Sequence, residues 1–145
     1  MSKSNTFETN ILSHIFENAD IALIGDATGV RGSTTAGSLY FSLHTANPTD
    51  VSDQTTSEAT YTSYARVAVA RSAAGWTVTG NAVAVDANVT FPAGTGGSGT
   101  ATHWGLGTDV SGVGKMLFYG PISPSIVCGN GVTPQLTAGT VVTED

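Results

Sequence analysis

The chain has 145 residues, the size of one domain, with 40% hydrophobic but only 11% charged residues, a balance that excludes intrinsic disorder. The net charge of −6 and the scattered positions of the five cations argue against direct nucleic-acid binding. The single cysteine, Cys128, excludes an internal disulfide, and no apolar run approaches the about 20 residues of a membrane span.

The N-terminal six residues contain no apolar segment, so we expect no secretion signal there. Residues 5–18 predict the one clear helix, because Asn5 is a suitable N-cap and Glu8 can complete a capping box. Apolar residues recur at helical spacing: Phe7, Ile11, Leu12, Ile15 and Phe16. This apolar face either packs on the chain's own sheet or docks on a neighbouring subunit.

Two segments predict exposed loops. Residues 21–38 contain four glycines among small residues, which is typical of a loop. Residues 50–60 are polar and include Asp50, Asp53 and Glu58. Their spacing lacks the glycine and final glutamate of a calcium loop, so we expect solvated acids and not a cation site.

Residues 39–47 predict the founding strand of a β domain, since Leu39, Phe41 and Leu43 alternate with polar residues until Pro48 ends the run. Alternation and turn residues predict further strands at residues 64–71, 76–79, 83–85, 89–91, 100–106, 115–119, 122–128, 132–136 and 140–143. We therefore predict a mainly β fold, a single β-sandwich or jelly-roll-like domain over residues 21–145, preceded by a helical arm at residues 1–20.

Burial or exposure of the two tryptophans distinguishes a hydrophobic core from an exposed ligand-binding platform. Trp76 and Trp104 have valine or leucine as same-face neighbours in their predicted strands, so we expect both to be buried. The alternative is an exposed aromatic platform for sugars that uses Trp76, Trp104 or Tyr40.

The sequence contains no motif for catalysis. The glycine-rich residues 94–99 lie between two strands, without the following helix that a phosphate site needs, and residues 112–115 lack the remainder of a P-loop. His44 and His103 are each isolated in sequence and would meet only if their strands were adjacent, and neither has the spacing of a metal site. We predict no catalytic residue, no metal, no cofactor and no enzymatic activity.

Several blocks carry a resemblance that composition does not show: residues 5–12, 38–48, 56–71, 75–78, 91–97 and 130–134. In sequence and order these blocks resemble a family of small structural proteins of tailed bacteriophages, over nearly the whole chain. The resemblance implies a virion protein that passes through the host cytoplasm during assembly, and it implies no catalytic residues.

Within that class we favour a capsid cement or decoration protein that binds the outer head surface and stabilises the expanded shell. Its partners would be the major capsid protein and copies of itself, as a homodimer or homotrimer, with neither nucleic acid nor membrane. The alternatives are a tail or neck component, such as a fibre-like adsorption protein, and a carbohydrate-binding module. We expect the interface in the helical arm and the loops at residues 25–38 and 50–58, with these candidates: Phe7, Ile11, Phe16, Asp50, Asp53 and Glu58.

Overall fold

A computed structural model describes residues 3–24, 32–50, 53–139 and 141–143, which form one helix and nine strands. The elements are α1 Asn5–Glu17, β1 Ser38–His44, β2 Val67–Ala70, β3 Trp76–Thr79, β4 Ala82–Val85, β5 Val89–Thr90, β6 Ser98–Gly107, β7 Met116–Gly129, β8 Gln135–Leu136 and β9 Val141–Thr143. Three sheets result, with strand orders β2-β1-β6-β7, β3-β4-β9 and β5-β8. The predicted mainly β fold with one short N-terminal helix is confirmed. None of the helical structure in the described part of the chain is long and apolar enough to span a membrane.

The N-cap of helix α1 lies one residue before the predicted cap. The side chain of Ser4, not Asn5, accepts a hydrogen bond from the Phe7 amide at 3.4 Å, so Ser4 is the N-cap. The helix ends at Asn18, which has a left-handed backbone at φ 60°. Asparagine tolerates this conformation better than most residues, which explains why the helix stops there.

The chain packs as two compact units, of which the first comprises Met1–Ser38, Ala70–Asn88 and Thr137–Asp145. Helix α1 contacts β3 and β4 in this unit. The rings of Phe16 and Trp76 meet edge to face, with centroids 4.8 Å apart. Both rings are buried, so this part of the helical face packs on the chain's own sheet.

Arg71 fixes the C-terminal end of α1 within the first unit. Its Nε donates to the carbonyl of Ile15 at 2.6 Å, and its Nη2 donates to the carbonyl of His14 at 2.7 Å. These carbonyls belong to the last turn of the helix, where a cation also complements the helix dipole. Whether residues 1–20 act as a separate arm stays a prediction.

The second unit comprises Leu39–Val69 and Val89–Leu136 and contains nearly all of the four-stranded sheet. On one face of this sheet, Phe41 lies opposite Leu106 and Leu43 lies opposite Trp104, and all four side chains are buried. The predicted burial of both tryptophans is therefore confirmed.

On the opposite face of the same sheet, two glycines of β6 leave space for side chains of β1 and of the loop at residues 53–59. A Cβ on Gly105 would lie 2.6 Å from Nε2 of His44 and 2.7 Å from the Ser42 hydroxyl. A Cβ on Gly107 would lie only 2.2 Å from Cδ of Gln54, which is fully buried. Glycine is thus needed on β6 for these polar side chains to lie between the loop and the sheet.

Strand β7 is one long element where the sequence predicted two. It pairs with β6 antiparallel, but the register shifts because Ala101 lies opposite Ile126 while His103 lies opposite Pro121. The intervening residues of β7 bulge between two paired stretches, and they include Pro124, which has no amide hydrogen to donate to the ladder.

Candidate interaction surface

The loop that joins β6 to β7, residues 108–115, exposes two valines and is called the tip loop below. The side chains of Val110 and Val113 are 62% and 64% exposed. The base of the loop is closed by Thr108, whose amide donates to the Lys115 carbonyl at 3.2 Å and whose hydroxyl accepts from the Lys115 amide at 3.0 Å. The tip loop is therefore an ordered loop with two aliphatic side chains exposed to solvent.

Arg66 supports the tip loop from beneath. Its side chain is only 2% exposed. Nη1 donates to the carbonyl of Asp109 at 2.9 Å, and Nη2 donates to the carbonyl of Gly112 at 2.7 Å. Two carbonyls of the loop are consequently turned inward and satisfied by a buried cation.

Gln54 provides the second support. Its backbone amide donates to the Val113 carbonyl at 2.9 Å, and its side-chain Oε1 accepts from the Asp109 amide at 2.9 Å. The Gln54 Nε2 is buried and has no hydrogen-bond partner among the described residues. A buried donor without a partner is destabilising. The Gln54 side chain therefore stabilises the loop through Oε1 but loses part of this gain at Nε2.

Glu58 and Tyr64 hold Arg66 in place. Arg66 donates to both carboxylate oxygens of Glu58, from Nε at 2.7 Å and from Nη2 at 2.8 Å, which is a bidentate ion pair. The Tyr64 hydroxyl also donates to Glu58, at 2.8 Å. The hydrogen bond with Glu58 raises the pKa of Arg66, and burial raises the pKa of Tyr64, so both groups stay protonated.

A surface groove of about 240 Å³ adjoins the tip loop. It is lined by Glu58, Tyr64, Ala65, Arg66, Val110, Ser111 and Gly112. The charges of Glu58 and Arg66 are paired with each other, and Ala65 and Val110 add apolar surface to the groove. The tip loop and this groove together form a contiguous projection and recess on the second unit.

The structure places the predicted arm residues at different depths in the first unit. Phe7 is 38% exposed and Ile11 is half-buried, whereas Phe16 is completely buried. The expectation that Phe16 faces a partner is corrected, because its ring is buried against Trp76. Whether Phe7 and Ile11 contact a partner stays a prediction.

The predicted acidic residues lie in the second unit, and all three have partners within the chain. Glu58 forms the ion pair with Arg66, which corrects the expectation of an exposed acid. Asp53 accepts from the Thr55 hydroxyl at 2.5 Å and from its amide at 2.8 Å, and the hydroxyl is the main cause of its lowered pKa. Asp50 is exposed and accepts from the Tyr119 hydroxyl. Residues 25–31 and 51–52 of the two predicted interface loops lie outside the described residues.

Ser42 and His44 have the separation of a nucleophile and its base, with Oγ and Nε2 2.8 Å apart. Both side chains are fully buried, and His44 Nδ1 donates to the Thr56 carbonyl at 2.8 Å instead of to a carboxylate. This tautomer leaves Nε2 to accept from Ser42, and burial lowers the pKa of His44. The pair therefore serves packing, since no substrate reaches it.

His44 and His103 do lie directly opposite each other on β1 and β6, as adjacent strands would allow. The described residues nevertheless contain no group of three or more side chains able to hold a metal ion.

Comparison with known families finds a match that spans almost the whole chain. Residues 2–144 match the Gp80 family, described as podophage GP4 fiber I protein gp80. The chain belongs to this family. It is thus a structural protein of the bacteriophage virion, which agrees with the resemblance found in the sequence. No curated protein matches the chain.

The tip loop was not among the interface candidates drawn from the sequence. Residues 112–115 attracted attention only as an incomplete P-loop, and an isolated valine next to glycine gives no indication of exposure. Arg66 was the residue that could have indicated this loop, because a cation within an alternating strand needs hydrogen-bond partners if it is buried.

Proposed function

We propose that the protein is a non-enzymatic structural subunit of a podophage fibre and acts by binding neighbouring virion proteins. The match to the fiber I family over residues 2–144 is the observation that carries this proposal. The tip loop supports a binding role, because it offers rigid aliphatic surface suited to protein contact. Burial of Ser42 and His44 supports a function without catalysis.

Location and copy number in purified virions test the fibre proposal. An epitope tag after the C-terminus, detected with gold-labelled antibody in electron micrographs, should mark the tail region. Quantitative mass spectrometry should give a copy number close to that of the other tail proteins. Labelling over the whole head, with a copy number close to that of the major capsid protein, would contradict a fibre role.

A capsid cement or decoration protein is the second candidate function. The observation in its favour is that the sequence contains no internal repeat of the kind that builds a long fibre shaft. In this role the protein would bind the major capsid protein and copies of itself on the outer shell, and many weak contacts on one lattice would add up.

Binding to heads that lack the tail distinguishes the cement role from the fibre role. Purified protein added to expanded heads that lack the tail should bind in lattice register if the cement role is correct, and those heads should survive heating better than undecorated ones. If the fibre role is correct, the same heads stay undecorated and their heat resistance is unchanged.

A further inference from the structure

We propose that the loop at residues 53–59 is an acid-sensitive switch: protonation of His44 lifts this loop from β1 and thereby frees the tip loop. The His44 side chain is completely buried at the end of β1, and its Nδ1 donates to the carbonyl of Thr56 at 2.8 Å. The switch does not depend on whether the protein lies in the fibre or on the head, so it can fail while the proposed function stands.

The hydrogen bonds of His44 require a neutral ring. Because a carbonyl only accepts, Nδ1 carries the hydrogen, and Nε2 accepts from the Ser42 hydroxyl at 2.8 Å. A proton on Nε2 would place two donors against each other unless the hydroxyl turned its own hydrogen away. Among the described residues, the Ser42 hydroxyl has no second acceptor. A buried donor without a partner is destabilising, so the closed site excludes the charged ring.

The surroundings of His44 also disfavour its charge. Burial is the main reason why the pKa of His44 lies below its ordinary value. The hydrogen bond from Nδ1 and the negative charge of Glu58 oppose this effect, but the carboxylate already accepts two hydrogen bonds from Arg66 and one from Tyr64. The positive charge of Arg66 acts in the same direction as burial, and so does His103 when charged, directly opposite on β6.

The other titratable groups around this site, in the described part of the chain, provide no buried counter-ion. Tyr119 of β7 lies on the same face of the sheet and donates to Asp50, which is exposed. This hydrogen bond raises the pKa of Tyr119, so the phenol stays uncharged at and below neutral pH. Asp53 accepts hydrogen bonds within its own turn, and the charged residues of the tip loop, Asp109 and Lys115, are exposed. A proton on His44 is therefore stabilised once water reaches the ring.

The 53–59 loop is the part of this site that moves at least cost. His44 is the last residue of β1, so it reaches water without unpairing the strand that precedes it. The Thr45 amide donates to the carbonyl of Ser57, and the Ala59 amide donates to the carbonyl of Leu43, both at 2.8 Å. Ser57 has a backbone φ of 53°, in the left-handed region that serine rarely adopts. The closed loop thus holds strain that opening relieves.

Opening of the 53–59 loop removes the internal supports of the tip loop. Gln54 and Glu58 both belong to the 53–59 loop. Gln54 bonds to the backbone of Asp109 and Val113, and Glu58 positions Arg66 beneath the tip loop. The tip loop therefore keeps its shape at neutral pH and loses it when His44 takes up a proton.

The size of the effect follows from proton linkage. In the opened loop the ring has the ordinary histidine pKa of about 6.5, whereas the closed form excludes the proton. Lowering the pH from about 7.5 to about 5.0 should then raise the ratio of opened to closed loop by about 30-fold. The range stops at about pH 5.0, because carboxyl groups with ordinary pKa values take up protons below it.

Amide hydrogen exchange of the full chain, corrected for the intrinsic pH dependence of exchange, measures this ratio. We expect the protection of residues 53–59 and 108–115 to fall by about 30-fold over this range, while that of β3 and β4 changes by less than about threefold. In His44→Asn, whose side-chain amide can replace the Nδ1 donor but does not titrate, protection should stay nearly constant. His103→Asn is the matched control on the neighbouring strand and should keep most of the fall.

Three results would overturn the switch: a fall of less than about threefold in the two loops of the wild-type chain, an equal fall in His44→Asn, or an equal fall in β3 and β4. The last result would mean general acid unfolding. NMR of the ring nitrogens in the wild-type chain covers the case in which His44→Asn does not fold. His44 should give the signals of the neutral Nδ1–H tautomer as long as the loop amides stay protected, and an imidazolium signal from a protected loop would contradict the proposal.

Discussion

Replacement of Arg66 by methionine tests whether the buried ion pair holds the second unit together. Methionine keeps much of the side-chain length but removes the cation, so Glu58 retains only the Tyr64 hydrogen bond. Breaking a buried pair from one side costs about 3–5 kcal/mol. The Glu58 side chain is 16% exposed, so water partly compensates. We therefore expect a loss near the lower limit, about 3 kcal/mol.

Urea unfolding measures this loss. Both tryptophans fluoresce, so the measurement is best made in a Trp76→Phe background, where Trp104 reports on the second unit alone. Arg66→Lys is the matched variant, and it should recover only part of the loss because lysine lacks the guanidinium fork. The double variant with Glu58→Gln should lose at least about 1 kcal/mol less than the sum of the singles. A free energy of unfolding for Arg66→Met within about 1 kcal/mol of wild type would refute this account.

Three further predictions follow from named contacts. Phe16→Ala should lower the stability of the first unit by about 3–5 kcal/mol, because it removes a buried ring from Trp76, whereas Phe7→Ala at the exposed end of the helix should cost far less in the same thermal melt. Gly107→Ala should lower the melting temperature and release the tip loop to hydrogen exchange, since its Cβ would displace Gln54; unchanged exchange there would refute this contact. For His44, burial lowers the folded pKa below the unfolded value of about 6.5, so stability is full above that pH and falls as the pH drops toward the folded pKa. Melting temperatures across this window should fall for wild type and stay flatter for His44→Asn, and equal slopes would contradict the assignment.

Hydrophobic spacing in the sequence predicted the helix and the first strand correctly, because side-chain packing in the fold agrees there with the local secondary-structure propensity. The 3.6-residue spacing of Leu12 and Phe16 identified α1, and both residues are in the core. The N-cap was misplaced by one residue because Ser4 and Asn5 are equally good caps, and only the fold decides which lies at the turn. The alternation in residues 39–47 likewise identified β1 and its buried face.

The candidate interface was harder to predict because exposure depends on long-range contacts. Glu58 lies in a polar segment and was taken for a surface acid, but Arg66, eight residues later in the chain, returns to pair with it. The sequence predicted separate strands at residues 115–119 and 122–128, yet continued pairing with β6 on both sides of the bulge keeps β7 one element. Neither outcome follows from a local window of sequence.

The position of the buried polar groups in the second unit is itself informative. An apolar set of similar volume would often stabilise a core as well as a buried ion pair does, so stability alone does not account for Arg66 and Glu58. Their donors and acceptors converge with those of Gln54 on one exposed loop. The buried ion pair and the hydrogen bonds of Gln54 therefore maintain the shape of the tip loop, although such buried polar interactions are costly to form. A loop whose shape is maintained in this way is suited to specific contact.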